Sequence, residues 1–191
     1  SRWWLHHSLC ALNTSLSGNL LVLKGDPLTL LPALAKAMGS TQVHWNRCYE
    51  PWRIHRDKTL KEQLNAQSIE AHSYNASLLW EPWQIQKKDG TPYKVFTPYF
   101  RRGCLQAIPP RLPTPAPKGL SLSTQTLPKS YLAHLGAKGI DALALLPTIA
   151  WDTTMQSTWH IGERAAQKRL SEFLQSGLDN YKDGRNFPER D

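Results

Sequence analysis

The sequence predicts an α/β fold in which helices flank a parallel sheet. Three short apolar runs, at residues 20–23, 41–45 and 69–74, alternate with segments of helical length and periodicity. Strands that alternate with helices in this way pair in parallel, and the helices cover the faces of the sheet. The 191 residues are sufficient for one large domain, or for one domain with an appended segment.

The first predicted elements are a helix, a strand and a second helix. Apolar residues at near-helical spacing indicate a helix over residues 2–16. The run Leu-Leu-Val-Leu at 20–23 is typical of a strand that is buried on both faces. We expect Asp26 to be the N-cap of the next helix, with Pro27 at the first helical position, where its missing N–H costs nothing. The apolar face of this helix continues to Met38.

The same alternation then repeats. Residues 41–45 form a predicted strand, residues 51–66 a helix and residues 69–74 a third strand. Ligands of such sheets bind beyond the carboxyl ends of the strands, at a point where the strand order reverses. We therefore expect the connections at 24–26 and 46–52 to lie on the ligand-binding edge.

The second half of the sequence is less regular. A short helix is predicted over residues 97–106, and most of the prolines occur in residues 107–150, which we interpret as a connecting segment with a short helix near 140–145. A further helix begins near Ile161, since apolar residues form one stripe and basic residues the other face. The stripe consists of Ala166, Leu170, Phe173, Leu174, Leu178 and Tyr181.

Composition and charge narrow the classes of function. The formal net charge of +8 indicates an anionic partner, such as nucleic acid or a phosphate-bearing ligand, although many enzymes are equally basic. Eight tryptophans fit core packing, base stacking or packing around a conjugated cofactor. Three widely spaced cysteines fit a reducing compartment better than a disulfide framework. No apolar run approaches the roughly 20 residues of a membrane span, and no signal peptide is recognisable.

The sequence lacks the common catalytic and metal-binding motifs. His6 and His7 are adjacent, which is not the spacing of a helical metal-ligand pair, and no phosphate-binding glycine loop or nucleophile elbow occurs. Charged residues around the helix at 51–66 are interpreted as solvated: Glu50, Arg53, Arg56, Asp57 and Lys58. Arg101, Arg102 and Arg111 fit either a solvated surface or a phosphate-binding track. Four aromatic residues are interpreted as packing residues: Trp80, Trp83, Tyr93 and Phe96.

Six blocks of the sequence together match a known pattern of order and spacing. They are RWWLHHSL (2–9), GDP (25–27), WNRCYEPWRIHRD (45–57), SYNASLLWEPW (73–83), PYKVFTPYF (92–100) and WHIGERAAQKRLSEFL with YKDGRNFP (159–188). In this order they resemble the antenna domain of DNA photolyases and cryptochromes, followed by the start of the flavin-binding helical domain. Each block alone is moderately specific, whereas six in order are a strong match.

The resemblance implies three parts. Residues 1–106 correspond to a Rossmann-like antenna-chromophore domain, residues 107–158 to an inter-domain linker and residues 159–191 to the start of an all-helical FAD-binding domain. In the family, two strands precede the RWWLHHSL helix, the first of the type VWFRxDLR, and a long helical domain follows the last block. The resemblance thus implies that this chain is an interior part of a family member, without the first strands and most of the helical domain.

The implied activity is that of a class I deoxyribodipyrimidine photolyase. Such a carbon–carbon lyase splits cyclobutane pyrimidine dimers by electron transfer from photoexcited reduced FAD, and this chain would supply the antenna domain while being inactive alone. The alternative is a cryptochrome-type blue-light photoreceptor without repair activity. A third hypothesis is a nucleotide-type binding module, whose absorption spectrum would show a near-UV band without flavin peaks.

The resemblance also implies binding residues. Tyr181 matches a residue that contacts FAD, and Arg185 matches one that contacts DNA phosphate. The cleft for the second, antenna chromophore corresponds to Arg2, Asn46, Cys48, Glu50, Trp52 and Arg53. Folate-binding members of the best-known type carry Asn-Glu where this chain has Trp52-Arg53, so that folate contact is not carried over. The resemblance implies either methenyltetrahydrofolate or a deazaflavin as the chromophore.

Partners and location follow from the same resemblance. We expect no catalytic residue and no metal site in this chain, because the flavin performs the chemistry. The expected partner is damaged DNA containing pyrimidine dimers, bound through the intact protein. That protein is expected to be a monomer in the bacterial cytoplasm, associated with the nucleoid and not with a membrane.

Overall fold

The structure is a computed structural model that describes residues 1–117, 119 and 127–187. The chain forms two compact units. One consists of Ser1–Gly25 together with Leu127–Asp191, and the other of Asp26–Thr126. We call them the terminal unit and the central unit.

The described residues form two strands and a series of helices. The strands are β1 (Gln42–Asn46) and β2 (Glu70–Tyr74). The α-helices, in chain order, are α1 (Arg2–Ser15), α2 (Pro27–Ala37), α3 (Pro51–Ala66), α4 (Phe96–Pro98), α5 (Lys129–His134), α6 (Thr153–Thr158), α7 (Glu163–Glu172) and α8 (Tyr181–Gly184). Segments of π-helix occur at Tyr99–Gly103 and Phe173–Gly177, and 3₁₀ turns at Cys104–Gln106 and Ile140–Leu143.

A parallel pair of strands organises the central unit. β1 and β2 lie side by side, with Gln42 opposite Glu70 and Asn46 opposite Tyr74. Helix α3 connects the two strands, so the three elements form a βαβ unit. The predicted parallel sheet with flanking helices is therefore confirmed, and α3 has the predicted bounds.

The two helices of the central unit begin as the sequence predicts. Asp26 is the N-cap of α2, and its Oδ1 accepts a hydrogen bond from the Leu28 N–H at 3.1 Å. Proline occupies the first position of both helices, at Pro27 and Pro51. Since the first turn of a helix leaves its N–H groups unpaired, proline costs no hydrogen bond there.

The core of the central unit lies between α2, α3 and the residue that precedes β2. Its buried residues are Ala35, Leu60, Leu64 and Ile69, and the Leu64 side chain is fully buried at 0 % exposure. Partly buried apolar residues pack around them: Leu28, Leu31, Val43, Trp45 and Ala71. Burial of these side chains holds α3 close to β1 and thereby positions the connection between them.

The predicted strand at residues 20–23 is wrong. The run forms only an isolated antiparallel bridge between Leu23 and Ala137, and the Val22 carbonyl accepts from the Lys138 N–H at 3.0 Å. The neighbouring Lys24 N–H donates to the Gly136 carbonyl at 3.3 Å. A strand forms only where a partner strand supplies hydrogen bonds, and within the described residues this run has a single bridging partner.

A buried hydrogen bond joins distant parts of the terminal unit. Trp3 on α1 is buried, and its indole N–H donates to the Asp152 carboxylate at 2.8 Å. Gln156 donates a second hydrogen bond to the same carboxylate, also at 2.8 Å. The Gln156 bond first, and then the Trp3 bond, holds the pKa of Asp152 below its usual value despite burial. The two hydrogen bonds to Asp152 thus connect the start of α1 with α6.

The region predicted as a linker contains local structure. Within residues 107–158 the structure shows α5, the 3₁₀ turn Ile140–Leu143 near the predicted 140–145 helix, and α6. Residues 118 and 120–126 of this region lie outside the described residues. The domain boundaries implied by the family resemblance stay a prediction.

The predicted helix after Ile161 is present in the terminal unit. Helix α7 passes into the π-helix Phe173–Gly177 before α8 begins at Tyr181. The final residues of the YKDGRNFP block, from 188 onward, lie outside the described residues. No helix in the described part of the chain combines the length and apolar character that crossing a membrane requires.

Candidate functional site

The candidate site lies at the carboxyl end of β1, in the central unit. Asn46 is the last residue of β1 and is exposed, and the next residue extends the pairing because the Arg47 N–H donates to the Tyr74 carbonyl at 2.9 Å. Residues 47–50 then lead directly into α3. The carboxyl end of the sheet thus presents residues 46–52, one of the two connections predicted for the ligand-binding edge. The other connection, at 24–26, follows the run that forms no strand.

A network of polar and aromatic groups lies beside this edge. The Arg47 guanidinium contacts the Glu81 carboxylate, donates to the Ser73 carbonyl at 2.8 Å and lies 5.2 Å from the centre of the Trp83 ring. The Tyr49 hydroxyl donates to the same Glu81 carboxylate at 2.7 Å. We call these five residues the Arg47 network. It ties the β1–α3 connection to residues 81–83, which follow β2.

The environment of Tyr49 keeps its phenol protonated. Burial raises the pKa of Tyr49, and the hydrogen bond to the Glu81 carboxylate raises it further. A protonated phenol donates one hydrogen bond, which matches the acceptor that Glu81 presents. The hydrogen bond to Glu81 therefore connects the β1–α3 connection to the residues that follow β2.

Four of the predicted antenna residues meet on the first turn of α3. The Arg53 guanidinium lies 3.6 Å from the Cys48 Sγ, 3.5 Å from a Glu50 carboxylate oxygen and 4.9 Å from the centre of the Trp52 ring. Glu50 is the N-cap of α3, but its side chain makes no capping hydrogen bond. The structure therefore brings Cys48, Glu50, Trp52 and Arg53 together, next to the exposed Asn46 on the same connection.

Two features of this group fit an anionic ligand with a planar ring. The Nε of Arg53 is buried and makes no hydrogen bond to any described residue. Trp52 is 62 % exposed, which is high for so large an apolar ring. A buried N–H donor without an acceptor is costly, and the Arg53 guanidinium next to an exposed ring offers positive charge to a ligand.

Asp57 positions this part of α3. Its carboxylate is buried and accepts from the Trp45 indole N–H at 3.1 Å and from two N–H groups of Arg56 at 2.8 and 2.6 Å. The sequence alone favoured solvated charges here. The structure instead fastens α3 to β1 through Asp57 and directs the Arg56 guanidinium to 5.6 Å from the Trp52 ring centre.

Arg2 belongs to the terminal unit, whereas the other predicted antenna residues belong to the central unit. Arg2 is the first residue of α1, and its guanidinium donates to the Ala144 carbonyl. It lines a cavity of about 630 Å³ together with Trp3, Pro147, Trp151 and their neighbours. This volume is within the range of small-molecule pockets.

Tyr181 and Arg185 are neighbours in the terminal unit. The Arg185 guanidinium lies 5.7 Å from the centre of the Tyr181 ring, because the two residues are one helical turn apart on α8 and its C-cap. The Tyr181 ring also meets Phe173 edge to face at 5.6 Å. Both predicted contact residues are exposed on one surface.

Sequence reasoning missed most of the Arg47 network. Arg47 and Tyr49 lie within the predicted edge, but neither was singled out, and Trp83 was assigned to packing although it is 53 % exposed. One sequence signal for the network was present: Glu81 is an acidic residue next to Pro82 and Trp83, shortly after the last predicted strand. Among the described residues, no three His, Cys, Asp or Glu side chains are grouped so that they could hold a metal ion.

Comparison with known proteins identifies the family. The model of the family described as DNA photolyase matches residues 1–118. A deoxyribodipyrimidine photo-lyase of Agrobacterium fabrum is 35 % identical over 98 % of this chain and 38 % of its own length. Cryptochrome-2 of Arabidopsis thaliana is 30 % identical over 95 % of this chain and 30 % of its own length.

A solved structure agrees with these relatives. The crystal structure of a bacterial class III photolyase from Agrobacterium tumefaciens matches 98 % of this chain and 38 % of its own chain, with a TM-score of 0.84 and 34 % identity. This chain therefore spans well under half the length of the proteins that it matches. The family match over residues 1–118 agrees with the resemblance seen in the sequence blocks, and the chain belongs to the DNA photolyase family.

Proposed function

We propose that this chain forms the antenna part of a deoxyribodipyrimidine photolyase, which splits cyclobutane pyrimidine dimers in damaged DNA in a light-dependent reaction. The observation that supports this most strongly is the similarity of almost the whole chain, in sequence and in fold, to photolyases. The Agrobacterium structure is of class III, which favours class III over the expected class I. We further propose that the protein is a cytoplasmic monomer that associates with the nucleoid.

Two cofactors belong to this proposal: FAD and an antenna chromophore, either methenyltetrahydrofolate or a deazaflavin. When bound, the flavin supplies the electron that splits the dimer and the antenna supplies excitation energy. Tyr181 is proposed to contact the flavin, and Arg185 a DNA phosphate. Their exposure and mutual contact support this, since Tyr181 offers an aromatic face and Arg185 an exposed guanidinium.

For the antenna chromophore we propose the group around Arg53, whereas a contact by Arg2 stays a prediction of the resemblance. The Arg53 guanidinium would supply charge-assisted N–H donors to an anionic oxygen of the ligand, and the exposed Trp52 ring would pack against its planar part. Asn46, Cys48 and Glu50 line the same connection and orient the guanidinium. Asp57 fixes α3 and so holds Trp52 and Arg53 in place.

Replacing Arg53 with methionine is expected to weaken antenna binding. Loss of a charge-assisted hydrogen bond corresponds to about 2 kcal/mol, or roughly a 30-fold increase in Kd. The measurement is quenching of tryptophan fluorescence by methenyltetrahydrofolate, and in parallel by a deazaflavin, with the 191-residue chain.

Lys58→Met is the matched control, because Lys58 is exposed on the same helix and makes no hydrogen bond or ion pair to described residues. Equal weakening by both substitutions would assign the effect to general charge. Unchanged binding in the Arg53 variant would exclude Arg53 from the site.

The repair activity is tested with the protein expressed from its complete coding region. We expect thymine-dimer oligonucleotides to be restored under near-UV or blue light and to remain unchanged in darkness. The similarity to a plant cryptochrome supports a second candidate, a blue-light photoreceptor. A protein that binds flavin but leaves the dimers intact under light would contradict photolyase activity and favour that alternative.

A further inference from the structure

The ring of Tyr181 has a neighbour that a regular helix would not bring to it. Tyr181 and Phe173 are eight residues apart, which corresponds to about 12 Å along a straight α-helix. Their ring centres are nevertheless 5.6 Å apart, with ring planes inclined by 88°. The contact is possible because the π-helix Phe173–Gly177 and a turn at residues 178–180 separate α7 from α8.

The Phe173 ring occupies the space that a side chain at position 177 would need. A Cβ added at Gly177 would lie 2.7 Å from Cδ2 and 3.1 Å from Cε2 of Phe173. Gly177 has no positive φ, so an alanine fits its backbone conformation and would conflict only with this ring. The Leu178 N–H donates to the Phe173 carbonyl at 2.9 Å, which closes the π-helical turn between the two residues. The absence of a side chain at Gly177 therefore determines where the Phe173 ring lies.

The Phe173 ring in turn sets the direction of the Tyr181 ring. Tyr181 also contacts the Arg185 guanidinium, at 5.7 Å from its ring centre, but Arg185 is exposed whereas Phe173 is half-buried. Edge-to-face contact between aromatic rings has a preferred geometry and contributes beyond the area that it buries. Phe173 is thus the better fixed of these two neighbours, and Tyr181 keeps 49 % of its surface exposed.

We propose that Gly177 and Phe173 are positioning residues for the flavin contact of Tyr181. Gly177 leaves the space for the Phe173 ring, and this ring holds Tyr181 in one orientation before the flavin binds. A side chain that is already ordered loses less conformational entropy on binding, which raises affinity. This inference rests on the proposed function, in which Tyr181 contacts FAD, and it adds the residues that orient this contact. A π-helical segment directly before the contact residue agrees with it, since such segments are frequent at functional sites.

The test uses the protein expressed from its complete coding region and freed of flavin. Its Kd for FAD is measured by titration followed through flavin fluorescence. We expect Gly177→Ala and Phe173→Leu each to raise this Kd about fivefold, which corresponds to the contribution of one aromatic pair.

A second readout needs no flavin. The ring-proton chemical shifts of Tyr181, assigned by comparison with Tyr181→Leu, report the adjacent Phe173 ring in the flavin-free protein. We expect both substitutions to move them toward the values of a tyrosine without an aromatic neighbour. Unchanged shifts in Gly177→Ala would overturn the proposal, because the Phe173 ring would then keep its place despite the added methyl group.

The double variant tests whether Gly177 acts through Phe173. A leucine at position 173 has no ring for the added methyl group to displace, so Gly177→Ala is expected to change the Kd less than about twofold in the Phe173→Leu background. Gly184→Ala is the matched control, since a Cβ at Gly184 on α8 meets no described atom within 4 Å. Independent, additive losses from the two substitutions, or an equal loss in the control, would assign the effect to the helix backbone and overturn the proposal.

Tyr181→Leu separates this inference from the proposed function. We expect it to raise the Kd for FAD at least as much as either positioning substitution. If Tyr181→Leu left the Kd unchanged, the flavin contact of Tyr181 itself would be wrong. If it raised the Kd while Gly177→Ala and Phe173→Leu did not, that contact would stand and the positioning role would be excluded.

Discussion

Leu64→Ala is expected to lower the free energy of unfolding of the central unit by about 2–5 kcal/mol. Leu64 is fully buried on α3 and belongs to the cluster with Ala35, Leu60 and Ile69. Truncation removes apolar contacts and leaves a cavity between α2 and α3. Because α3 also bears the Arg53 group, the same change is expected to weaken antenna binding. The measurement is urea unfolding followed by circular dichroism.

Leu79→Ala provides the matched control for this prediction. Leu79 belongs to the same unit but is 72 % exposed, so the same chemical change removes little buried surface. We expect a change of less than about 0.5 kcal/mol in the free energy of unfolding. If the two variants had the same urea midpoint, the assignment of the core to Leu64 and its neighbours would be wrong.

Breaking the Arg47 network is expected to have the second largest effect. Arg47→Met and Glu81→Gln each leave a partly buried charge without its partner, and we expect each to cost about 1–3 kcal/mol of stability. The side chains are 28 % and 13 % exposed, so water screens the pair only in part. A double-mutant cycle isolates the interaction between the two residues, for which we expect about 1–2 kcal/mol.

An exposed ion pair in the same chain calibrates this cycle. Lys168 and Glu172 lie one turn apart on α7, at 3.8 Å, with side chains that are 79 % and 47 % exposed. Their interaction is expected to contribute about 0.3–0.5 kcal/mol. A coupling energy between Arg47 and Glu81 no larger than this would show that their ion pair contributes no more to stability than an exposed one.

The ionisation of Tyr49 provides a second measurement of the same network. Since Glu81 accepts the Tyr49 hydroxyl, Glu81→Gln is expected to lower the pKa of Tyr49, although burial continues to raise it. The raised pKa means that this contribution to stability is present below the unfolded-state pKa of about 10 and is lost as the pH rises through the folded-state pKa. Absorbance at the phenolate band reports the titration.

Local sequence patterns were sufficient to predict the helices whose starts are determined by capping residues. Asp26 and Pro27 predict the start of α2, and Pro51 with a helical run predicts α3, because caps act over a few residues. The run at 20–23 shows the limit of such patterns. Its apolar character predicts a strand, but a strand needs hydrogen-bond partners that are distant in sequence, and local patterns do not specify them.

In the candidate site, too, residues that are close in sequence were predicted and residues that are far apart were not. Cys48, Glu50, Trp52 and Arg53 are close in sequence at the start of one helix, so a sequence argument reached them together. Glu81 meets Arg47 and Tyr49 from more than 30 residues away, and no periodicity connects these positions. The antenna, flavin and DNA contacts of individual residues stay predictions.

The sequence by itself determined the family, the βαβ alternation and the edge at which residues 46–53 lie. Only the tertiary structure decided which side chains are partnered there: Asp57 is buried between Trp45 and Arg56, whereas Arg53 keeps an unpaired Nε. It also decided that Phe96 is exposed and stacks on Phe100. The physical reason is that residue type and spacing encode local conformation and burial period, whereas hydrogen-bond partners and exposure depend on what the rest of the chain brings alongside.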